Sequence, residues 1–323
     1  MKKHKPLFNI AIISASVLLT TWCINKLIFV TSNLKDRLTT DKDQIYPWRF
    51  GNIFYTKTGE GSPILLLHDL KSTASANEWE SVISRLSKNH TVYVMDMIGC
   101  GRSDKPKMTY TNYVYVQLIN DFIRNVIGKP TDIMTSGLSG NIAIMGCTAE
   151  SELYHRIIMV NPPSEKALRK YPKTNHKALK YLLECPLIGT SIYNMVFSKH
   201  AIAKELDKQI FDRELITEKR IEAAHESAHH GGPSARYFYA SERSHFTNIN
   251  SFRMLSRLDK SIYLIFGDFE PDVMDTMDTY ISVNPAIEAE ILPDCGHYPH
   301  LERPEAFMEA CSIYLASEDD NIG

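Results

Sequence analysis

Two stretches of the chain carry residue types that could do chemistry. The first is "DIMTSGLSGNIAIMG", Asp132 to Gly146. It begins like a buried strand, turns on small residues and continues like a helix, the shape of a turn that presents a serine nucleophile. Ser136, Ser139 or neither sits at its tip. The second is "HESAH", His225 to His229, which has the H-E-x-x-H spacing of a zinc-protease helix, with two imidazoles on one face and Glu226 beside them. A third ligand at a compatible distance is not evident. The plainer reading is a polar helix end whose histidines suit its C-terminus.

The surrounding sequence alternates strands and helices. "RFGNIFYTKTG" (Arg49–Gly59) alternates in polarity and reads as an antiparallel hairpin strand. "PILLLH", "HTVYVMD", "DIMTS", "RIIMVNP" and "SIYLIFGD" are apolar runs of the kind found in buried parallel strands, and "IEAEILPDCGH" holds the last strand. Amphipathic helices such as "EWESVISRLSK" and "NYVYVQLINDFIRNVIG" lie between them. This order predicts an α/β fold, a mostly parallel sheet with helices on both faces. Ligands in such sheets bind at the carboxyl ends of the strands. Those ends here are His68, Asp96, the Ser136–Ser139 turn, Asn161, Asp268–Asp272 and His297.

Four pieces of the chain resemble the α/β-hydrolase family. "LLLHDL" is similar to its strand ending in His-Gly, and "DMIGCGRSDKP" to its D-x-x-G-x-G-x-S-x-x-P loop. "GDFEPD" resembles its acid loop, and "CGHYPHLERPEAF" its histidine loop. The resemblance spans Arg49 to the C-terminus. It implies a serine hydrolase acting on an ester, thioester or lactone, with no cofactor and no metal. His297 falls on the general-base position, where an imidazole takes the serine proton and returns it to the leaving group. Glu270 falls on the acid position, with Asp268 and Asp272 as alternatives. The backbone N–H groups of Leu70 and Gly140 would form the oxyanion hole. Asp69 replaces the glycine of His-Gly and puts an acid near that hole. His68 and Asp96 are expected to shape loops, and Asn161 has no charge with which to stabilise an imidazolium.

The family turn is G-x-S-x-G, with small residues two before and two after the nucleophile. Ser139 as nucleophile puts Gly137 two before and Asn141 two after. A second register puts Gly137 itself at the nucleophile position, flanked by Thr135 and Ser139, and predicts a catalytically inactive binding protein with the same fold. Ser136 would need Met134 in a place too narrow for it. The sequence favours Ser139, with the inactive binding protein as the alternative and a zinc peptidase using His225, Glu226 and His229 as the third reading.

Residues 163–251 form an insertion where the family carries its cap, helical by pattern in "KALKYLLECPLIGTSIYNMVF" and "TEKRIEAAHESAHH". Its Tyr, Phe and Leu content suggests a pocket for a small apolar acyl substrate. The core would then comprise residues 45–162 and 252–323.

At the N-terminus, Lys2, Lys3 and Lys5 precede 18 uncharged residues, Leu7 to Ile24. That is near the minimum for a membrane span. "TTWCINK" offers no A-x-A-like exit, so an uncleaved anchor within residues 1–30 is expected in preference to a cleaved signal. Residues 31–44 read as a polar tether, and the globular part is placed outside the cytoplasm because a short basic N-terminus is usually retained inside. The lipid bilayer is thus an expected partner. A formal net charge of −2 gives no reason to expect nucleic acid. The six cysteines are scattered without C-x-x-C spacing and read as small buried hydrophobes.

Overall fold

The computed structural model describes residues 5–316. Helix α1 (Lys5–Ser32) comes first, then the hairpin β1 (Asp43–Trp48) and β2 (Gly51–Thr58). β3 (Ser62–Leu67), α2 (Glu80–Leu86), β4 (His90–Met95), α3 (Asn112–Phe122), β5 (Thr131–Ser136), α4 (Leu138–Ala149) and β6 (Tyr154–Val160) follow in alternation. Between β6 and β7 (Ile262–Gly267) lie α5 (Glu165–Leu168), α6 (Thr174–Glu184), α7 (Ile188–Val196), α8 (Lys199–Gln209), α9 (Glu218–His229), α10 (Arg236–Arg243) and α11 (Phe252–Leu255). The chain closes with α12 (Val273–Val283), β8 (Glu288–Leu292), α13 (Pro299–Glu302) and α14 (Pro304–Ala316).

The strands form one sheet in the order β1-β2-β4-β3-β5-β6-β7-β8. β1 and β2 are antiparallel, and every pairing from β4 through β8 is parallel. Both faces are covered, which is why the central strands are apolar without alternation. In β3, Ile64 and Leu66 pack into the core with Trp79 and Phe307, whereas Leu65 and Leu67 pack on the other face with Phe122 and Ile142. The stretch expected as a lone hairpin strand is β2, and its partner β1 begins inside the segment read as a tether.

The rest of that segment is not free either. α1 runs on to Ser32, and Leu38 is fully buried. The Arg37 N–H donates to Glu226 Oε2 at 2.8 Å, and its guanidinium meets Glu222 Oε2 at 3.0 Å. Lys35 and Lys199 also pair with Glu222. A carboxylate this buried needs cations to remain charged, and α9 obtains two of them from the segment after α1 and one from the start of α8.

The loop after β4 shows why the sequence there is so constrained. Asp96 is buried and accepts from the N–H of Ala76 (2.6 Å), the N–H of Arg102 (2.9 Å) and Arg102 Nε (3.3 Å). Gly101 has φ +48, and any Cβ there would overlap the Asp96 carboxylate. Ser103 ties the loop to β2 by donating to Asp96 O and accepting the Phe54 N–H. Removing the Asp96 carboxylate leaves Arg102 and two N–H groups without this buried acceptor. Asp96→Ala is therefore expected to cost about 3 kcal/mol or more. Denaturant unfolding measures this; a loss below about 1 kcal/mol would show the network to be dispensable.

Candidate active site

The carboxyl ends of β3, β5, β6 and β7 and the loop after β8 converge on a cavity of about 490 Å³. Gly137 forms the tip between β5 and α4, at φ 56 and ψ −132. This is a backbone conformation that a side chain adopts only under strain. Thr135 and Ser139 flank the tip and are fully buried. Gly140 sits where the helix presses on the next strand, so that a Cβ there would meet Met159 Cε at 2.6 Å.

Ser139, expected as the nucleophile, is not at the tip. It is two residues into the turn, and its hydroxyl points back into the sheet and donates to His68 O at 2.6 Å. Ser136 is buried in β5. The turn thus adopts the register with Gly137 at the nucleophile position, because the positive φ falls there and the flanking positions take the small residues.

Asp69 fills the space that a side chain on Gly137 would need; any Cβ there would overlap its carboxylate. Asp69 Oδ1 accepts from the N–H groups of Leu70 (2.8 Å) and Leu138 (3.0 Å). These two donors form the anion-binding nook at the turn. Gly140, expected to supply one of them, instead donates to Gly137 O at 3.3 Å within the first helical turn. Asp69 Oδ2 pairs with Lys71 Nζ at 2.7 Å and lies 3.4 Å from His297 Nε2.

His297 stands beside this group. Its Nδ1 is 2.9 Å from Glu270 Oε1, and Lys71 Nζ is 3.2 Å from its Nε2. Of the alternative acids, Asp268 accepts the Cys295 N–H at 3.3 Å, and Asp272 lies at the N-terminus of α12 with φ 55. Neither carboxylate is among the hydrogen-bond partners of His297. The histidine loop is fixed by backbone and buried groups. The His297 N–H donates to Gln209 O at 2.7 Å, and Glu302 Oε1 accepts the Gly296 N–H at 2.8 Å. Asn161, held at φ 44, donates to both Gly296 O and His297 O at 3.0 Å and accepts the Gly267 N–H at 3.1 Å. His68 Nε2 accepts the Met97 N–H at 3.0 Å, so its Nδ1 donates to Asp69 O at 2.7 Å.

Burial and proximity set the charges. Burial works against the charge on Asp69, but Lys71 first and then His297 hold its carboxyl well below the usual range. Burial likewise opposes the Lys71 charge, and Asp69 raises it well above a free lysine. For His297, burial and Lys71 favour the neutral ring, yet hydrogen bonds to Asp69 and Glu270 leave it raised. Burial and then the Asp69 charge push Glu78 up to about 7. Burial also lifts Glu242 to about 7, against Lys71.

The cap contributes Glu242, Arg243, His245, Thr247 and Asn248 to the wall. Its aromatic residues go elsewhere: Tyr193 and Tyr239 pack into the cap's own core, and Phe238 packs into the main core. The apolar part of the wall comes from Leu70, Leu138, Phe266 and Val273 of the core rather than from the cap's aromatic residues.

The H-E-x-x-H residues serve as a docking surface for the chain's N-terminal part. Glu226 accepts the Arg37 N–H, His229 Nδ1 pairs with His225 O at 2.8 Å, and the His229 ring packs on Phe29 at 5.2 Å. Among the described residues no group of three or more His, Cys, Asp or Glu could hold a metal ion.

Sheet order, capped cavity and histidine–carboxylate pair define a hydrolase-type fold. The chain belongs to the alpha/beta hydrolase family, whose model matches residues 64–310. Its relatives include 2-hydroxy-6-oxo-6-(2'-aminophenyl)hexa-2,4-dienoic acid hydrolase of Metapseudomonas resinovorans, 22% identical over 89% of this chain and 97% of that protein. Another is 2-hydroxymuconate semialdehyde hydrolase of a Pseudomonas species, 22% identical over 81% and 89%. Among solved structures, a serine hydrolase involved in carbazole degradation superposes with TM-score 0.70 at 18% identity, covering 85% of this chain and 98% of that one. A bacterial membrane phospholipase A gives TM-score 0.67 at 17% identity, covering 98% of both chains.

The raised Glu78 has a measurable consequence. Its folded-state pKa of about 7 exceeds the ordinary 4.5, so its contribution to stability is full below about 4.5 and is lost as pH rises through about 7. Replacing it by Gln removes that penalty at high pH. Relative to the wild type, Glu78→Gln should gain stability between about pH 5 and pH 8, by up to roughly 3 kcal/mol. Unfolding of both chains across this range measures the difference, and a pH-independent difference would refute the assignment.

Proposed function

We propose that this chain is a membrane-tethered member of the alpha/beta hydrolase family that has given up serine acyl chemistry and holds a small polar ligand in its capped cavity. One observation carries the reading: Gly137 stands at the nucleophile position, and the Asp69 carboxylate fills the anion nook beside it. A serine hydrolase for esters, thioesters or lactones, the reaction expected from the sequence, needs a hydroxyl at that tip and an empty nook for the developing oxyanion. Neither condition fits the geometry around Gly137, although His297 and Glu270 have the spacing such a reaction would use. The ligand follows from the wall. Lys71, Lys170, Arg243 and His245 face Glu242 and Glu270 around the cavity, beside an apolar part formed by Leu70, Leu138, Phe266 and Val273, an environment suited to a small molecule with charged groups and an apolar body.

The tether rests on α1. Ile12–Ser32 is long and apolar enough to cross a membrane and only 11% buried. The fold match to a membrane phospholipase A covers 98% of this chain, α1 included, in keeping with α1 as a single-pass anchor; the short basic N-terminus, of the kind usually retained inside, puts the globular part outside the cytoplasm.

A second reading keeps a hydrolase. With Oδ1 held by two N–H groups and Oδ2 near His297, Asp69 is placed as a carboxylate nucleophile would be. Attack of Asp69 Oδ2 on an electrophilic carbon would break that carbon's bond to its leaving group, a halide or the ring oxygen of an epoxide, and give an ester on Asp69; water deprotonated by His297 would then add to the carboxyl carbon, release the alcohol and restore the carboxylate. Turnover in ¹⁸O-water would leave label in Asp69 under this reading and none under the first.

The wild-type chain should not react with a fluorophosphonate and should not turn over p-nitrophenyl esters. Gly137→Ser alone should stay inert, because its side chain collides with Asp69. Gly137→Ser with Asp69→Gly should label at position 137 and hydrolyse the ester at least about 10²-fold above wild type, since the donors and the histidine are already in place. Adduct mapping by mass spectrometry checks both parts, and wild-type labelling at Ser139 would overturn the proposal.

A further inference from the structure

Helix α7 is amphipathic in the inverse sense. Gly189, Thr190, Tyr193 and Asn194 face inward, whereas Ile188, Met195 and Val196 are exposed and Ile192 is half-buried. These four apolar positions follow the i, i+4, i+7, i+8 spacing of one helix face. Tyr181 and Leu182 of α6, the helix that packs against α7, are exposed as well. Met195 is 73% exposed and Tyr181 72%. Exposed apolar residues gathered on one helix face in this way mark a contact surface.

The polar side of α7 meets α1. Asn25 Nδ2 donates to Ser191 Oγ at 3.1 Å, and Asn194 Nδ2 donates to Asn25 Oδ1 at 2.9 Å. The same stretch of α1 exposes Ile24, Leu27 and Val30. The outward face of α7 therefore lies beside the exposed apolar side of the membrane-spanning helix.

Charge adjoins the stripe. Lys173 and Lys177 precede Tyr181 at spacings of four residues, and Lys166, Arg169 and Lys170 are exposed just before them. Lys166, Arg169, Lys170, Lys173, His176 and His245 surround a cavity of about 380 Å³ with no carboxylate in its lining. A cationic cavity next to an apolar stripe matches the headgroup and acyl layers of an anionic leaflet.

We propose that the outer face of α6 and α7 docks onto the surface of an anionic bilayer, with the apolar stripe entering the acyl boundary and the basic cavity receiving lipid phosphate. This rests on α1 being the tether. The cavity at Gly137 shares Lys170 and His245 with the basic cavity, so docking would set that mouth close to the headgroups.

The test uses the full chain in nanodiscs of phosphatidylcholine with phosphatidylglycerol. Met195→Cys and, as a reference, Ile313→Cys are labelled with a fluorophore in a Cys23→Ser/Cys185→Ser background. Ile313 is 72% exposed on α14, which packs against α2 and β8. The probe at 195 should be quenched several-fold less by aqueous iodide than the probe at 313, and should be quenched by nitroxide-bearing lipid. Lys173→Glu/Lys177→Glu, which leaves the anchor intact, should abolish that protection. Equal aqueous quenching at the two positions, or protection unaffected by the charge reversal, overturns the proposal. Failure of the chain to enter nanodiscs would instead sink the tether, and the docking with it.

Discussion

A carboxylate with almost no access to water governs the site. Asp69 can remain charged only because it is compensated on every side: two backbone N–H groups on one oxygen, Lys71 on the other and His297 within reach. That compensation uses the donors that would otherwise hold a reaction's oxyanion. It also requires glycine at position 137, since any side chain there would strike the carboxylate. The residue at the tip and the acid beside it are thus one structural choice. Its effect spreads outward, because the Asp69 charge is what keeps Lys71 protonated and adds to the burial that lifts Glu78.

The retained histidine and acid fit the same picture. Loop positions are set by Asn161, Glu302 and Gln209 through backbone groups, so His297 would be held in place whether or not a nucleophile faced it. In a family built on one sheet, the scaffold for chemistry and the chemistry itself are separable. The relatives with named reactions share between 16% and 22% identity with this chain, and at that distance the fold is common while the tip residue is free to differ.

The cap has two partners. Its inner edge closes the cavity with charged groups, and α7 and α9 are fastened to α1 and the segment after it by the Lys35 and Arg37 pairs on Glu222, the Arg37–Glu226 contact and the asparagines at positions 25 and 194. Polar side chains in an otherwise apolar helix are costly unless they find such partners. Their pairing here fixes α1 against the cap and couples the cavity's lid to that helix.

The primary structure determined the class of fold because continuous apolar runs, amphipathic spacers and glycine-rich loops are local patterns. "DMIGCGRSDKP" announces a loop wound around Asp96, and "CGHYPHLERPEAF" announces a histidine held by Glu302; both read out over about ten residues. The turn at "TSGLSG" is spelled with small residues in either of two registers, and local pattern favoured Ser139 over Gly137. What decided between them was a contact across 68 positions in the chain, Asp69 against the cavity side of Gly137. The direction of cap side chains was undecided for a similar reason. Helical periodicity names two faces of α7, but only the packing of Asn194 against Asn25 shows that the apolar face turns outward.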